Sequence, residues 1–279
     1  MGGWERDAAA ANLALDGFWI ARAPVTVAQY TAFIEADGYR DARWWTPQGK
    51  EWLRGSKEPK PWRWRESPFN SRPQQAVTGV RWYEATAFCA WLSAQLARTL
   101  PRGYTLRLPT EAEWEAAAAY DAAWQRHSYP WGNDSPTARH AVFGRSWEEA
   151  SPDVATCPAG AAACGALDLA GTVWEWTTSS AQAYPERAHW LKEDFTTSDQ
   201  DAPIRGDSYY SSNVRCGGAG QQPPWPRLLH LHLLESVAEL GAWVAPATSG
   251  GSFLGSLGIA VGGSRARRCA KSPLRMTWF

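Results

Sequence analysis

The stretch GALDLAGTVWEWTTS, Gly165 to Ser179, sets two tryptophans, Trp174 and Trp176, on either side of a single carboxylate, Glu175. Side chains alternate faces along an extended chain, so a strand here would put both indoles on one face and Glu175 on the other. Gly171 can take a positive φ and turn the chain sharply into that strand. Taken alone, the stretch reads as two core aromatics and a solvated Glu, or as an active-site strand with a lone carboxylate. The rest of the chain decides between them.

Composition sets the first limits. Lys+Arg and Asp+Glu number 28 each, so the chain carries no global field to draw nucleic acid or an acidic membrane. No run of about 18 apolar residues is present to span a bilayer. The start, MGGWERDAAA, has two acidic residues and no apolar core, unlike a secretion signal, so the expected compartment is the cytoplasm. Nineteen tryptophans, with 24 Gly and 19 Pro, point to an aromatic core under irregular loops instead of long amphipathic helices. Five cysteines are an odd number and do not read as a disulfide framework. Cys157 and Cys164 bracket a short Pro-Ala-Gly loop and either pair or stay free.

Three helices are legible. The first runs from Thr26 to about Ala36, with Thr26 and Gln29 as a capping box and Gly38 at its expected C-terminal cap. Tyr30, Phe33 and Ile34 should face the core. In the second, Trp82, Ala85, Cys89, Leu92 and Leu96 draw one apolar stripe, which makes Cys89 a buried thiol. A third begins at Thr110 after Pro109, with Glu113 completing a capping box and Trp114, Ala117 and Ala118 on one face. Between the first two, residues 39–69 read as a loop whose Trp44, Trp45, Trp52, Trp62 and Trp64 pin it to the body. Downstream, Ser208, Tyr209 and Tyr210 suggest a strand entered through Gly206. Composition changes near Gly217.

Six stretches now fall in one order: APVTVAQYTAFIEADGY, VTGVRWYEATAFCAWLS, YTLRLPTEAEWEAAA, YPWGN, GALDLAGTVWEWT and RGDSYYSSNVRC. Together they resemble the formylglycine-generating-enzyme-like, or sulfatase-modifying-factor, family, over about residues 17–216. The resemblance implies one α+β domain spanning 1–279, with a C-type-lectin-like fold of few helices, short twisted antiparallel strands and much irregular loop.

Fold alone does not give function, and the family's branches require different residues. The copper-dependent oxidases use two cysteines five positions apart after a Gly-Ser motif, since soft thiolates select Cu(I). Here those positions hold Ser211 and Cys216, so only one thiolate matches. The iron-dependent sulfoxide synthases take histidines from a helical domain ahead of this one, and the short-spaced pair here is only His230 and His232. Structural calcium in the family lies near a Gly-Asn before VWEW, where this chain has Gly171 and Thr172, with Glu175 still able to serve. The expected cofactor is none, with structural calcium left open.

A third branch displays a variable surface, as in the variable proteins of diversity-generating retroelements. SGGSF at 249–253 and RRCA at 267–270 resemble their marks. This leads to an expectation of a non-catalytic, monomeric binder of a protein or other macromolecular ligand. Its surface would be Phe253, Leu254, Ser256, Leu257, Ile259, Arg265, Arg267, Lys271, Leu274, Met276 and Trp278, with Tyr209 and Tyr210. Rigid aromatics and arginines are what binding hot spots favour. The alternatives are a metal-dependent oxidase acting through Cys216, and an interaction domain whose tail merely closes the fold.

Overall fold

The computed structural model describes residues 12–101, 104–178, 203–217, 219–221 and 229–230. Among these, four helices and four short strands are joined by irregular segments. The helices are α1 (Val27–Glu35), α2 (Pro47–Gly55), α3 (Trp82–Gln95) and α4 (Glu111–Ala119). The strands are β1 (Trp174–Trp176), β2 (Pro203–Arg205), β3 (Ala219–Gln221) and β4 (Leu229–His230). They form one sheet in the order β3-β2-β1-β4, with β1 antiparallel to β2 and parallel to β4. Glu175 stands opposite Arg205 on one side and His230 on the other. The architecture is α+β, as the sequence implies.

The capping boxes form as read. Thr26 Oγ1 accepts from the Gln29 N–H while Gln29 accepts from the Thr26 N–H. Thr110 and Glu113 do the same at the start of α4. Gly38, however, is not the C-terminal cap of α1. The helix closes at Ala36 and Asp37 takes the left-handed turn at φ 54°, while a Cβ on Gly38 would lie 2.2 Å from the Phe33 ring. Gly38 is there to let that ring in.

The single stripe expected on α3 is too narrow. Trp82, Ala85 and Cys89 are buried, but so are Tyr83, Glu84, Ala87, Phe88 and Trp91, and Leu92 is only partly covered. The helix runs through the main core, between α1 and the tryptophan-rich segment, so two faces need apolar cover. Glu84 is tolerated there because it accepts from the Arg81 N–H and the Tyr39 hydroxyl.

Residues 39–69 are not wholly irregular, for they contain a 3₁₀ turn (Ala42–Trp44) and α2. Thr46 followed by Pro47 signals that helix: the Thr hydroxyl accepts from the Gly49 N–H, and proline suits the first helical position. The pinning role of the tryptophans holds. Trp45 is buried and donates to the Gly38 carbonyl, while Trp44, Trp52 and Trp64 pack against the same core.

The expected strand at Ser208–Tyr210 is displaced. The chain is extended before Gly206, as β2, and then turns through Gly206 at φ 99° and Asp207 at φ 61°. Past the composition change near Gly217, β3 and β4 join the same sheet among the described residues.

Candidate functional site

The WEW strand sits where several elements meet. Trp176 is fully buried and its Nε1 donates to the Val80 carbonyl at 2.9 Å, while Trp82 Nε1 of α3 donates to the Thr177 carbonyl at 3.0 Å. The Thr178 N–H reaches the Pro109 carbonyl ahead of α4 at 2.8 Å. Gly171 takes φ 80°, and a Cβ there would lie 2.4 Å from the Val142 carbonyl oxygen, so glycine is required for this approach.

Alternation holds along β1, but the solvated-Glu reading does not. Trp174 and Trp176 both pack against the main core, and Glu175 is fully buried on the opposite face. The indole N–H of Trp114 on α4 donates to Glu175 Oε2. Next to it, Arg205 of β2 is fully buried, with Nε 3.0 Å from Glu111 Oε1 and Nη2 3.9 Å from Glu115 Oε2. Both faces of the sheet centre are therefore closed, one by tryptophans and the other by a charged cluster on α4. All nine residues of α4 are buried, glutamates included, which explains why its apolar face looked so short in sequence.

The turn after β2 carries Ser211 and leads to Cys216, the positions that correspond to the two cysteines of the copper-dependent oxidases this sequence resembles. Ser208 is buried, and its N–H donates to Ser211 Oγ at 3.1 Å. Cys216 is fully buried among Trp114, Ala118, Ala162, Ala166 and Leu169, and its Sγ donates to the Ala118 carbonyl at 3.2 Å. Burial, and then the Glu115 carboxylate, push this thiol well above its ordinary range. A two-thiolate copper(I) site needs two accessible soft sulfurs, and a serine with a protonated core thiol does not fit it. No second thiolate position is met by Cys157 or Cys164, which are not bridged to each other and donate to the Ala138 and Ala117 carbonyls.

The calcium question turns on Thr172, which replaces the family's Asn. Its hydroxyl donates to Asp168 Oδ1 at 3.2 Å, and Asp168 Oδ2 accepts from the Ala155 N–H at 2.6 Å. With Glu175 bonded to Trp114, the nearby carboxylates already serve protein donors. No group of three or more His, Cys, Asp or Glu side chains suited to a metal occurs among the described residues.

Of the expected binding residues, Tyr209 is fully buried. Its hydroxyl donates to the carbonyls of Trp147 and Glu149, and its ring packs with Phe69, Val142 and Cys157. It holds the 147–149 turn in place and offers no surface to a ligand. Tyr210 is partly exposed and meets Tyr209 edge-on at 5.3 Å. Phe253, Leu254, Ser256, Leu257, Ile259, Arg265, Arg267, Lys271, Leu274, Met276 and Trp278 lie outside the described residues, as does His232. A feature missed in sequence is an open cleft of about 340 Å³ between 138–145 and 156–157, lined by Val142, Phe143, Arg145 and Cys157 among others. Its walls belong to an Ala/Gly/Ser/Pro loop with no periodic pattern, so no sequence signal marks it.

The sulfatase-modifying factor enzyme 1-like domain matches residues 1–227. The chain belongs to this family. Hercynine oxygenase of Mycolicibacterium thermoresistibile is 39% identical over 177 residues, covering 60% of this chain and 37% of that protein. The formylglycine-generating enzyme of Thermomonospora curvata is 28% identical over 248 residues, covering 74% and 71%. The crystal structure of CarF superposes with a TM-score of 0.55 at 20% identity, covering 85% of this chain and 92% of that one, a likeness of fold alone. The chain spans 37%, 39% and 44% of the length of three hercynine oxygenases it matches. No helix among the described residues is long and apolar enough to cross a membrane.

Proposed function

We propose that this member of the sulfatase-modifying factor family binds a ligand without catalysing a reaction, using its body to hold a C-terminal binding surface at residues 253–278. One observation carries the reading. Where the family's oxidases have two thiolates, this chain has Ser211 bonded to Ser208 and Cys216 buried against the Ala118 carbonyl. In this reading body and tail form one monomeric domain, 1–279, working in the cytoplasm on a macromolecular ligand. The genomic neighbourhood tests it. A variable protein should lie beside a reverse transcriptase and a near-copy of its 3′ coding segment, differing mainly at adenines. Absence of both, together with unaltered binding partners for an Arg265→Ala, Arg267→Ala, Trp278→Ala variant, would contradict it.

A second reading is supported by the identity of 35–39% to hercynine oxygenases over the body of the chain. The body would then be the substrate-holding part of such an oxygenase, with metal donors supplied from outside the described residues. Calorimetric titration with hercynine separates the two. Saturable binding supports the oxygenase-like reading, and no heat up to millimolar concentration removes it.

A further inference from the structure

The whole-chain charge is balanced, but it is unevenly placed. Residues 40–81 hold ten Lys and Arg against four Asp and Glu, whereas the chain holds 28 of each. Lys50, Arg54 and Lys57, on and just after α2, are exposed and form no ion pair among the described residues. Arg65 is also exposed and donates to the Thr31 hydroxyl at 3.2 Å. The pairs that do form in the segment, Arg43 with Asp41, Lys60 with Glu58 and Arg63 with Glu66, are local and in contact with solvent. A phosphate can exchange with such pairs at little cost, because exposed ion pairs are worth little.

The same segment carries partly exposed tryptophans, each with a guanidinium laid over it. Arg43 stands over Trp44 at 5.0 Å from the ring centroid, and Arg81 over Trp52 at 5.7 Å. Arg63 over Trp62 at 5.3 Å and Arg65 over Trp64 at 5.7 Å repeat the arrangement. Such contacts occur about once per 70–80 residues in proteins at large, so four of them between residues 43 and 81 set this surface apart. Contacts join its three stretches. The Trp62 N–H donates to the Gly79 carbonyl at 2.9 Å, and a Cβ on Gly79 would lie 2.6 Å from the Trp62 carbonyl oxygen, two residues before Arg81. Arg81 in turn covers Trp52 of α2, whose ring stacks on Trp45, the chain neighbour of Trp44.

Cations alternating with planar groups match the chemistry of a single-stranded nucleic acid. The cations meet its phosphates, and its unpaired bases stack on indoles or on guanidinium planes already laid over them. An acidic bilayer is a poorer match. Seating in a membrane needs apolar residues that enter the interface, and Trp44, Trp52 and Trp64 are packed against the main core. An acidic peptide would engage the cations and leave the stacked planes unused.

We propose that the 43–81 surface binds single-stranded nucleic acid, with phosphates on Lys50, Arg54, Lys57 and Arg65 and bases stacked on the arginine-covered tryptophans. Nothing in the proposal depends on the 253–278 surface. The full chain is titrated into a fluorescein-labelled oligothymidylate of about 15 nucleotides, within the span of one such surface, and binding is followed by fluorescence anisotropy. Four phosphate contacts give a salt slope of about −3, so binding should weaken about 50-fold between about 50 and 200 mM salt. An abasic strand of the same length keeps the phosphates and lacks the bases, and it should bind at least about tenfold more weakly. The combined variant Lys50→Gln, Arg54→Gln, Lys57→Gln changes exposed positions, so its melting temperature should stay within about 2 °C of the parent's. It should lose at least about 30-fold in affinity at about 50 mM salt, with the slope falling to about −1. No saturable binding at that salt, an abasic strand bound as well as the intact one, or tighter binding of poly-glutamate or phosphatidylserine vesicles would overturn the proposal. So would undiminished binding by the Gln variant. The Arg265→Ala, Arg267→Ala, Trp278→Ala variant should bind the strand as the parent does, and loss of binding there would overturn the proposal by placing the site on the tail.

Discussion

Replacing Arg205 by Met removes a fully buried guanidinium that stands 3.0 Å from Glu111 and 3.9 Å from Glu115. Methionine fills most of the volume but leaves two carboxylates of α4 without their cation, at side-chain exposures of 4% and 0%. Breaking a buried pair in this way costs about 3–5 kcal/mol, chiefly the uncompensated charge left behind. For a domain of this size each kcal/mol moves the melting temperature by about 2–4 °C, so the loss should be roughly 6–20 °C. Urea denaturation followed by tryptophan fluorescence measures the free energy, and calorimetry measures the midpoint. The mechanism makes a further demand. Adding Glu111→Gln and Glu115→Gln to Arg205→Met removes the stranded charges and should restore at least about 2 kcal/mol, because a buried ion cluster is replaceable by neutral groups. A loss below about 1 kcal/mol for Arg205→Met, or a triple variant no more stable than the single one, would refute the reasoning.

Three further outcomes follow from the same core. Trp114→Phe takes the indole donor from Glu175 and should cost about 1–3 kcal/mol in urea denaturation, since it leaves a buried carboxylate less well bonded. Gly38→Ala forces a methyl group into the Phe33 ring and should cost about 1–3 kcal/mol, although an alanine costs nothing in most loops. Alkaline titration should be one-sided. Burial raises the phenols of Tyr30 and Tyr39 well above 10.0 and the Cys216 thiol well above 9.0, so the folded state holds these protons more tightly than the unfolded chain. Their stabilisation is complete below those ordinary values and is lost as pH climbs toward the folded values. Stability should start to fall near pH 9, by about 1.4 kcal/mol per pH unit for each group engaged. Cys216→Ala should make the fall near pH 9 shallower without moving its onset, because burial also raises the Cys89 and Cys157 thiols, and a midpoint unchanged to pH 11 would contradict the burial.

Much of this was legible because some residues announce local geometry. Thr26 with Gln29 and Thr110 with Glu113 name their helix starts, since each side chain can satisfy the other's backbone N–H. The order of RLPTEAEW and VWEW gave the family and so the fold. What stayed hidden depends on contacts far apart in sequence. Glu175 looks solvated until Trp114, 61 residues away, is seen to bond it. Nothing local to Arg205 marks it as buried; that depends on α4 bringing Glu111 against it. Tyr209 looked like a hot-spot aromatic because composition cannot say which side of a turn a ring takes. Its hydroxyl's two bonds to the 147–149 turn put it inside. The cleft has no pattern of its own because two separate stretches of one irregular loop, 138–145 and 156–157, make it jointly.

The central claim is that Cys216 serves packing and not chemistry, and copper(I) titration of the full chain tests it most directly. With the reduced protein competing against a chromogenic copper(I) chelator, the parent and Cys216→Ala should bind the metal alike, and neither should oxidise a cysteine-containing peptide in air. Tight copper(I) binding with peptide oxidation in the parent, both lost in Cys216→Ala while the fold persists, would contradict the account.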